Sequence, residues 1–153
     1  MLFRSYPTAL DLIAALRAEA PADKQDLITD LFEKITLYDI KTTKAVTTRR
    51  PDGRFDLTLT IDAQKLYADG LGKETKAPLN EAVDIGVFKL KPDNKTFDRS
   101  QVIRLERQNL HSGVQTITII TDSEPKFAGI DPYAKLIDRN TDDNVRAVEQ
   151  VAN

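Results

Sequence analysis

The stretch FDLTLTIDA, residues 55–63, alternates apolar and polar side chains without a break. Its apolar face consists of Phe55, Leu57, Leu59, Ile61 and Ala63. Aspartate and threonine occupy the opposite face. A period of two with one apolar face is the pattern of an antiparallel strand that covers a core on one side. The stretch therefore predicts a β-sheet whose two faces differ in burial.

Turn signals and further alternating stretches flank this strand. Pro51, Asp52 and Gly53 predict a tight turn to a preceding strand at 43–50. Other strands are predicted at 83–90, 101–110, 114–122 and 134–138, with HSG at 111–113 as a hairpin turn. Six to seven short strands with one apolar face each indicate an antiparallel immunoglobulin-like or fibronectin-like β-sandwich.

The first 36 residues follow a helical period instead. Thr8 is placed as an N-cap with Asp11 three residues on, and Pro21 ends this first helix. Asp23 is the expected N-cap of a second helix. The apolar stripes of the two helices are Leu12, Ile13 and Leu16, then Leu27, Ile28, Leu31, Phe32 and Ile35. We therefore expect an α+β chain with a helical hairpin at 1–36 and the sandwich at 37–153.

Composition excludes several classes of function. The 153 residues include no cysteine and one histidine, His111, so neither a thiolate zinc site nor an HExxH zinc site can be assembled. No complete catalytic constellation is present, and we expect no enzyme activity, catalytic residue or cofactor-binding residue. The net charge of −2 does not indicate the basic surface that nucleic-acid binding needs. The sequence has no apolar run of the ~20 residues that a membrane-spanning helix requires, so we expect no membrane insertion.

The segment AGIDPYAKLIDRNTDDN, residues 128–144, is rich in aspartate and asparagine. The 1, 3, 5, 7, 12 ligand spacing of a calcium loop is matched by Asp138, Asn140, Asp142, Asn144 and Glu149. Two features argue against a calcium loop. Its sixth position, which is glycine where such a loop makes its sharp turn, is Asp143 here, and the sequence does not predict helices on either side of it. We therefore expect no metal and no cofactor, with Asp138, Asp142, Asp143 and Asn144 capping turns and accepting backbone N–H groups. A calcium-stabilised domain is the alternative.

Five segments together resemble the C-terminal region of bacterial membrane proteins that couple an ABC-2 type permease to an M1 (gluzincin) aminopeptidase-like region. They are YPTALDLIAALRAEAP, DLFEKITLYD, ADGLGKETKAPLNEAVDIGVF, SGVQTITIITD and AGIDPYAKLIDRNTDDN. In that family the zinc site lies upstream of the matching part. None of its zinc or peptide-binding residues can be carried over to this chain.

The resemblance implies a non-catalytic C-terminal accessory domain in the extracytoplasmic portion of a bacterial membrane protein. Its expected partner is the upstream peptidase-like domain of the same parent chain, which Leu2 and Phe3 would face. The alternative is a free-standing β-sandwich module that binds a peptide by strand addition or a glycan on a sheet face. Four tyrosines and six phenylalanines are scattered along the chain, which weighs against a glycan platform.

Overall fold

The structure, a computed structural model, describes residues 6–151. Leu2 and Phe3 lie outside the described residues, so their expected role stays a prediction. Within the described part, one compact unit comprises residues 6–36 and 67–75, and a second comprises 37–66 and 76–151. The first unit thus includes the predicted helical segment together with a stretch from the middle of the chain.

Two helices form in the first unit, α1 at Ala9–Glu19 and α2 at Gln25–Phe32, separated by a 3-10 turn at Ala22–Lys24. The predicted capping box of α1 is confirmed. Thr8 Oγ1 accepts the Asp11 backbone N–H at 3.3 Å, and Asp11 Oδ2 accepts the Thr8 N–H at 2.7 Å. This reciprocal pair satisfies two N–H groups at the start of the helix.

The start of α2 differs from the prediction. Asp23 lies inside the 3-10 turn, where its carboxylate pairs with Lys24, and no described side chain caps α2. The Lys24 N–H bonds the Pro21 carbonyl at 3.0 Å, so the chain makes a tight turn before the α-helix can begin. Ile35, predicted in the helical stripe, is the first residue of a strand.

Side-chain hydrogen bonds connect the parts of the first unit. Arg17 of α1 contacts Glu33 at 2.8 Å and Thr29 at 2.9 Å. The hydroxyl of Tyr67, from the mid-chain stretch, donates to the buried carboxylate of Asp30 at 2.6 Å. Polar contacts therefore join the two helices to each other and to the mid-chain stretch.

Nine strands lie within the described residues, in two sheets. They are β1 Ile35–Arg49, β2 Phe55–Ala68, β3 Glu74–Ala77, β4 Asn80–Phe88, β5 Val102–His111, β6 Gly113–Thr121, β7 Phe127–Ile130, β8 Val145–Ala147 and β9 Glu149–Gln150. One sheet has the order β3-β2-β1-β9, with β6 also paired to β2, and the other has the order β5-β4-β7-β8. The count exceeds the expected six to seven because short strands such as β8 and β9 lack a readable alternation.

The predicted apolar face of 55–63 is confirmed as core from Leu57 to Ala63, whereas Phe55 is half-buried. Leu57, Leu59 and Ile61 are fully buried, and the second sheet contributes Ile85 and Ile130 to the same hydrophobic cluster. The two sheets therefore share one core, and the chain is a mixed α+β fold with two mainly antiparallel sheets.

The predicted hairpin at 111–113 is wrong, because the strands on either side of it belong to different sheets. β5 pairs with β4, whereas β6 pairs with β2 in a nine-residue register that runs from Phe55 to Ala63. Gly113 has φ of +96°, a conformation that favours glycine and lets the chain leave one sheet for the other. The Ser112 hydroxyl accepts the Leu79 N–H at 3.0 Å and holds this corner.

The predicted strand at 134–138 is also wrong. The buried Asp131 carboxylate accepts the backbone N–H groups of Lys135 at 3.0 Å and Leu136 at 2.9 Å. Ala134 has φ of +48°, which no strand residue adopts. The Asp131 side chain therefore accepts the backbone N–H groups that strand pairing would have used. Within 134–138, only Asp138 makes a β-bridge, to Tyr38.

Candidate functional site in the aspartate-rich segment

The first half of the aspartate-rich segment is fastened to β4 by charge. Asp84 of β4 is buried, and its carboxylate accepts Lys135 Nζ at 2.6 Å and Arg107 Nε at 3.1 Å. The Asp131 N–H adds a bond of 2.7 Å to the Asp84 carbonyl. The hydrogen bond from Lys135 outweighs burial and, with Arg107, holds the pKa of Asp84 below its usual range. This arrangement holds the turn that starts at Asp131 in place.

A depressed pKa at Asp84 predicts an acid-dependent loss of stability. The ion pairs contribute above the unfolded pKa of about 3.9, and that contribution is lost as pH falls through the lower folded pKa. D84N should therefore lower the free energy of unfolding by about 1 kcal/mol at pH 6–7, because both cations are partly exposed and screened. Thermal unfolding between pH 7 and 2 should show wild type and D84N converging below pH 4.

The exposed pair of Asp93 with Lys91, at 2.8 Å, provides the control. D93N should leave stability within about 0.5 kcal/mol at every pH. A D84N difference that persists undiminished at pH 2 would mean that the role of the carboxylate is packing and not charge.

The second half of the segment folds into a short 3-10 turn at Thr141–Asp143. Asn140 Oδ1 accepts the Asp142 N–H at 3.2 Å, and Asn140 Nδ2 donates to Asp143 Oδ2 at 3.1 Å. The Asn140 N–H lies 3.4 Å from Asp138 Oδ1. Of the predicted caps, Asp138 thus accepts a backbone N–H group, whereas Asp143 accepts the Asn140 side chain and Asp142 is exposed. Asn140, which was not predicted to cap, accepts the Asp142 N–H instead.

Several buried polar atoms of this turn make no hydrogen bond of normal geometry to the described residues. They are Asp138 Oδ2, Asp143 Oδ1 and both Asn144 amide atoms, Oδ1 and Nδ2. Asn144 is 1% exposed. Burial raises the pKa of Asp138, and N–H groups of Asn140 and Ile40 and the Asn144 amide only partly offset it. The turn therefore holds a desolvated carboxylate beside an unsatisfied amide.

The structure does not bring all five spacing-matched residues to one point. Asp138 bridges to Tyr38 of β1, whereas Glu149 of β9 pairs with Val46, eight residues farther along the same strand. That separation is about 26 Å along a strand. Within residues 6–151, no group of three or more His, Cys, Asp or Glu side chains is arranged to hold a metal. A twelve-residue calcium loop that uses Glu149 therefore does not match this geometry.

A buried ionic network escaped the sequence analysis. Lys65 of β2 has a side chain only 5% exposed, and its Nζ lies 2.7 Å from Glu81 Oε1 on β4. The Tyr38 hydroxyl donates to Glu81 Oε2 at 2.7 Å. The period of two that starts at Phe55 continues past Ala63 and places Lys65 on the apolar face. A lysine on an otherwise apolar strand face was the sequence signal for this network. Its partner, Glu81, lies on the other sheet, so the ion pair links the two sheets.

A cleft lies between the start of β5 and the end of β6. Its lining includes Lys89, Arg104, Asp122 and Ser123. Arg104 pairs with Glu106 and donates to the Ile120 carbonyl at 3.4 Å. Glu106 therefore neutralises part of the positive charge in this cleft. His111 is the last residue of β5 and is exposed.

Comparison of the chain with protein-family models, curated protein sequences and solved structures gives no match. None of the helices in the described part of the chain combines the length and apolarity needed to cross a membrane.

Proposed function

We propose that this chain is a non-catalytic accessory domain that docks against a larger protein through its helical unit. The observation that supports this function is the apolar surface of α1 and α2. Leu10 is 76% exposed and Leu31 is 64% exposed. Leu12, Leu16, Leu27 and Phe32 are each exposed by a third or more.

The spacing of these side chains favours a contact surface over scattered exposure. Leu12 and Leu16 are four residues apart on α1, and Leu27 and Leu31 are four residues apart on α2. Residues at that spacing lie on one face of a helix. Each helix therefore presents a leucine pair to solvent, the kind of apolar surface that marks protein interaction sites.

The marginal stability expected for α1 also supports a docking role. None of its described side chains is buried, although it has 11 residues. A helix of this length is marginal in water, because most helical stability in proteins comes from packing an apolar face. A partner that covers Leu12 and Leu16 would supply that packing.

The resemblance described above supplies the proposed partner, the peptidase-like region of an M1 peptidase-like, transporter-linked membrane protein. An extracytoplasmic location and an immunoglobulin-like or fibronectin-like identity for the two-sheet unit belong to the same proposal. Two sheets that share one core are compatible with that identity. The domain would act by packing and positioning, without a chemical step of its own.

A binding experiment tests this function. The chain is added to the separately expressed peptidase-like region of its parent, and affinity is measured by isothermal titration calorimetry. The double variant L10S/L31S should bind at least tenfold more weakly, because each tenfold corresponds to about 1.4 kcal/mol and two exposed leucines are removed from the interface. Circular dichroism should show that the variant keeps its helices.

The matched control is V114S on β6, where Val114 is 71% exposed in the other unit. It should bind as wild type does. Wild-type chain that shows no binding, or L10S/L31S that binds as tightly as V114S, would contradict docking through the helices.

A second candidate function rests on β5, the terminal strand of its sheet. Its ten residues offer an outer backbone edge to which an extended peptide can add by main-chain hydrogen bonds. If the chain is a peptide-binding module, calorimetric titration with extended peptides should show binding to both L10S/L31S and V114S. Titration with the peptidase-like region should show no binding.

A further inference from the structure

The turn at 138–144 contains oxygen atoms that its own hydrogen bonds leave unused. Asp138 Oδ2, Asp143 Oδ1 and Asn144 Oδ1 are all buried and make no hydrogen bond of normal geometry within the described chain. Such groups are uncommon in native proteins, and an unplaced ion or water is one of the standard reasons for them. Three unsatisfied oxygens within seven residues therefore point to a ligand.

Asn144 is the observation that distinguishes this turn from an ordinary acidic cluster. It is 1% exposed, its carbonyl accepts the Thr42 hydroxyl at 2.7 Å and the Ile130 N–H at 3.0 Å, and this fixes its backbone. Its side-chain amide faces Asp138, whose pKa it helps to lower. The amide is thus held against a carboxylate, and no hydrogen bond of normal geometry fixes which of its two ends carries the oxygen.

The chemistry of these oxygens fits a hard cation. Ca²⁺ takes carboxylate, amide and backbone oxygens and completes its shell with water. Zinc and other transition metals favour imidazole or thiolate, which this turn lacks. Residues 138–144 contain three aspartates against one arginine, so the local charge is also negative.

We infer that the turn at 138–144 binds Ca²⁺ through Asp138, Asp143 and Asn144. These three ligands replace those predicted from the calcium-loop spacing, because the Asn140 amide already forms hydrogen bonds within the turn and Glu149 is distant. Two carboxylates make a low-affinity site, with an expected Kd on the order of 10⁻⁴–10⁻³ M. The bound ion would neutralise the buried Asp138 carboxylate and join the turn to the strand that follows it.

Thermal unfolding of the whole chain at pH 7 with 0–10 mM CaCl₂ tests this inference. The melting temperature of wild type should rise by about 3–10 °C at 10 mM CaCl₂, and EDTA should reverse the rise. D138N and D143N should each lose most of the response. D142N, which removes an exposed carboxylate from the same turn, should keep it. Calorimetric titration of wild type with Ca²⁺ gives the affinity independently of variant stability.

Three results would overturn the inference. They are no calcium-dependent rise in wild type, an equal rise in D138N, and an equal rise with MgCl₂ in wild type and D138N alike. In the first case, a wild-type stability that rises toward that of D138N as the pH falls from 7 to 5 would show that the buried carboxyl binds a proton and not a cation, because a carboxyl with a raised pKa stabilises the fold once it is protonated.

Discussion

Replacing Glu81 with alanine should lower the free energy of unfolding by about 3–5 kcal/mol, because it leaves the buried ammonium of Lys65 without its carboxylate. The Tyr38 hydroxyl loses an acceptor in the same step. Removing one partner of a buried ion pair costs far more than the net stabilisation from the intact pair, since the desolvation of the lysine is then less fully offset. Urea denaturation of E81A against wild type measures the loss.

A paired substitution separates charge from packing. K65M/E81L removes both charges and keeps comparable volume, so its stability should return to within about 1–2 kcal/mol of wild type or exceed it. If E81A lost less than about 1 kcal/mol, the Lys65 ammonium would be compensated in the variant by water or by another partner, and the Glu81 pair would not be the main source of its stability. If the double variant remained as unstable as E81A, the network would be required for packing and not only for charge balance.

The second large effect is expected for G129A. A β-carbon at Gly129 would lie 2.7 Å from Val145 Cα and 2.8 Å from the Asn144 carbonyl carbon, both backbone atoms that cannot rotate away. Relief requires β8 to move from β7, which breaks the bonds that Ile130 and Thr42 make to the Asn144 carbonyl. We expect a loss of about 3 kcal/mol or more, measured by thermal and urea unfolding.

G70A is the matched control for this substitution. A β-carbon at Gly70 meets nothing within 4 Å, and its backbone is not left-handed, so the change should lie within about 0.5 kcal/mol of wild type. Comparable losses in G70A and G129A would show that the close approach of β8 to β7 does not determine the cost. Because Asn144 also lies in the inferred calcium site, G129A should weaken the response to Ca²⁺ as well.

Local patterns in the sequence were sufficient for the features that depend on near neighbours. The alternation from Phe55 to Ala63 predicted a half-buried strand, and all of its aliphatic residues from Leu57 onward are core. Thr8 and Asp11 predicted a capping box three residues apart, and both of its hydrogen bonds form. In each case the interacting groups lie within one element, so their spacing alone fixes the geometry.

Long-range pairing decided the features that the sequence analysis missed. The alternation at 101–122 is the same whether β5 and β6 pair with each other or with β4 and β2, and Gly113 permits either path. Lys65 is accommodated on a core face with Glu81, which reaches it from another sheet.

The aspartate-rich segment shows the same division between local and long-range causes. Turn capping by Asp138 and Asn140 was predictable from residue type, since each acts on a backbone group two residues away. That Glu149 lies far from this turn while Asn144 is buried beside Asp138 depends on how the last strands pair with β1 and β7. Spacing along the chain specifies local turns, whereas the convergence of distant side chains is set by strand order and register, which a single sequence does not encode locally.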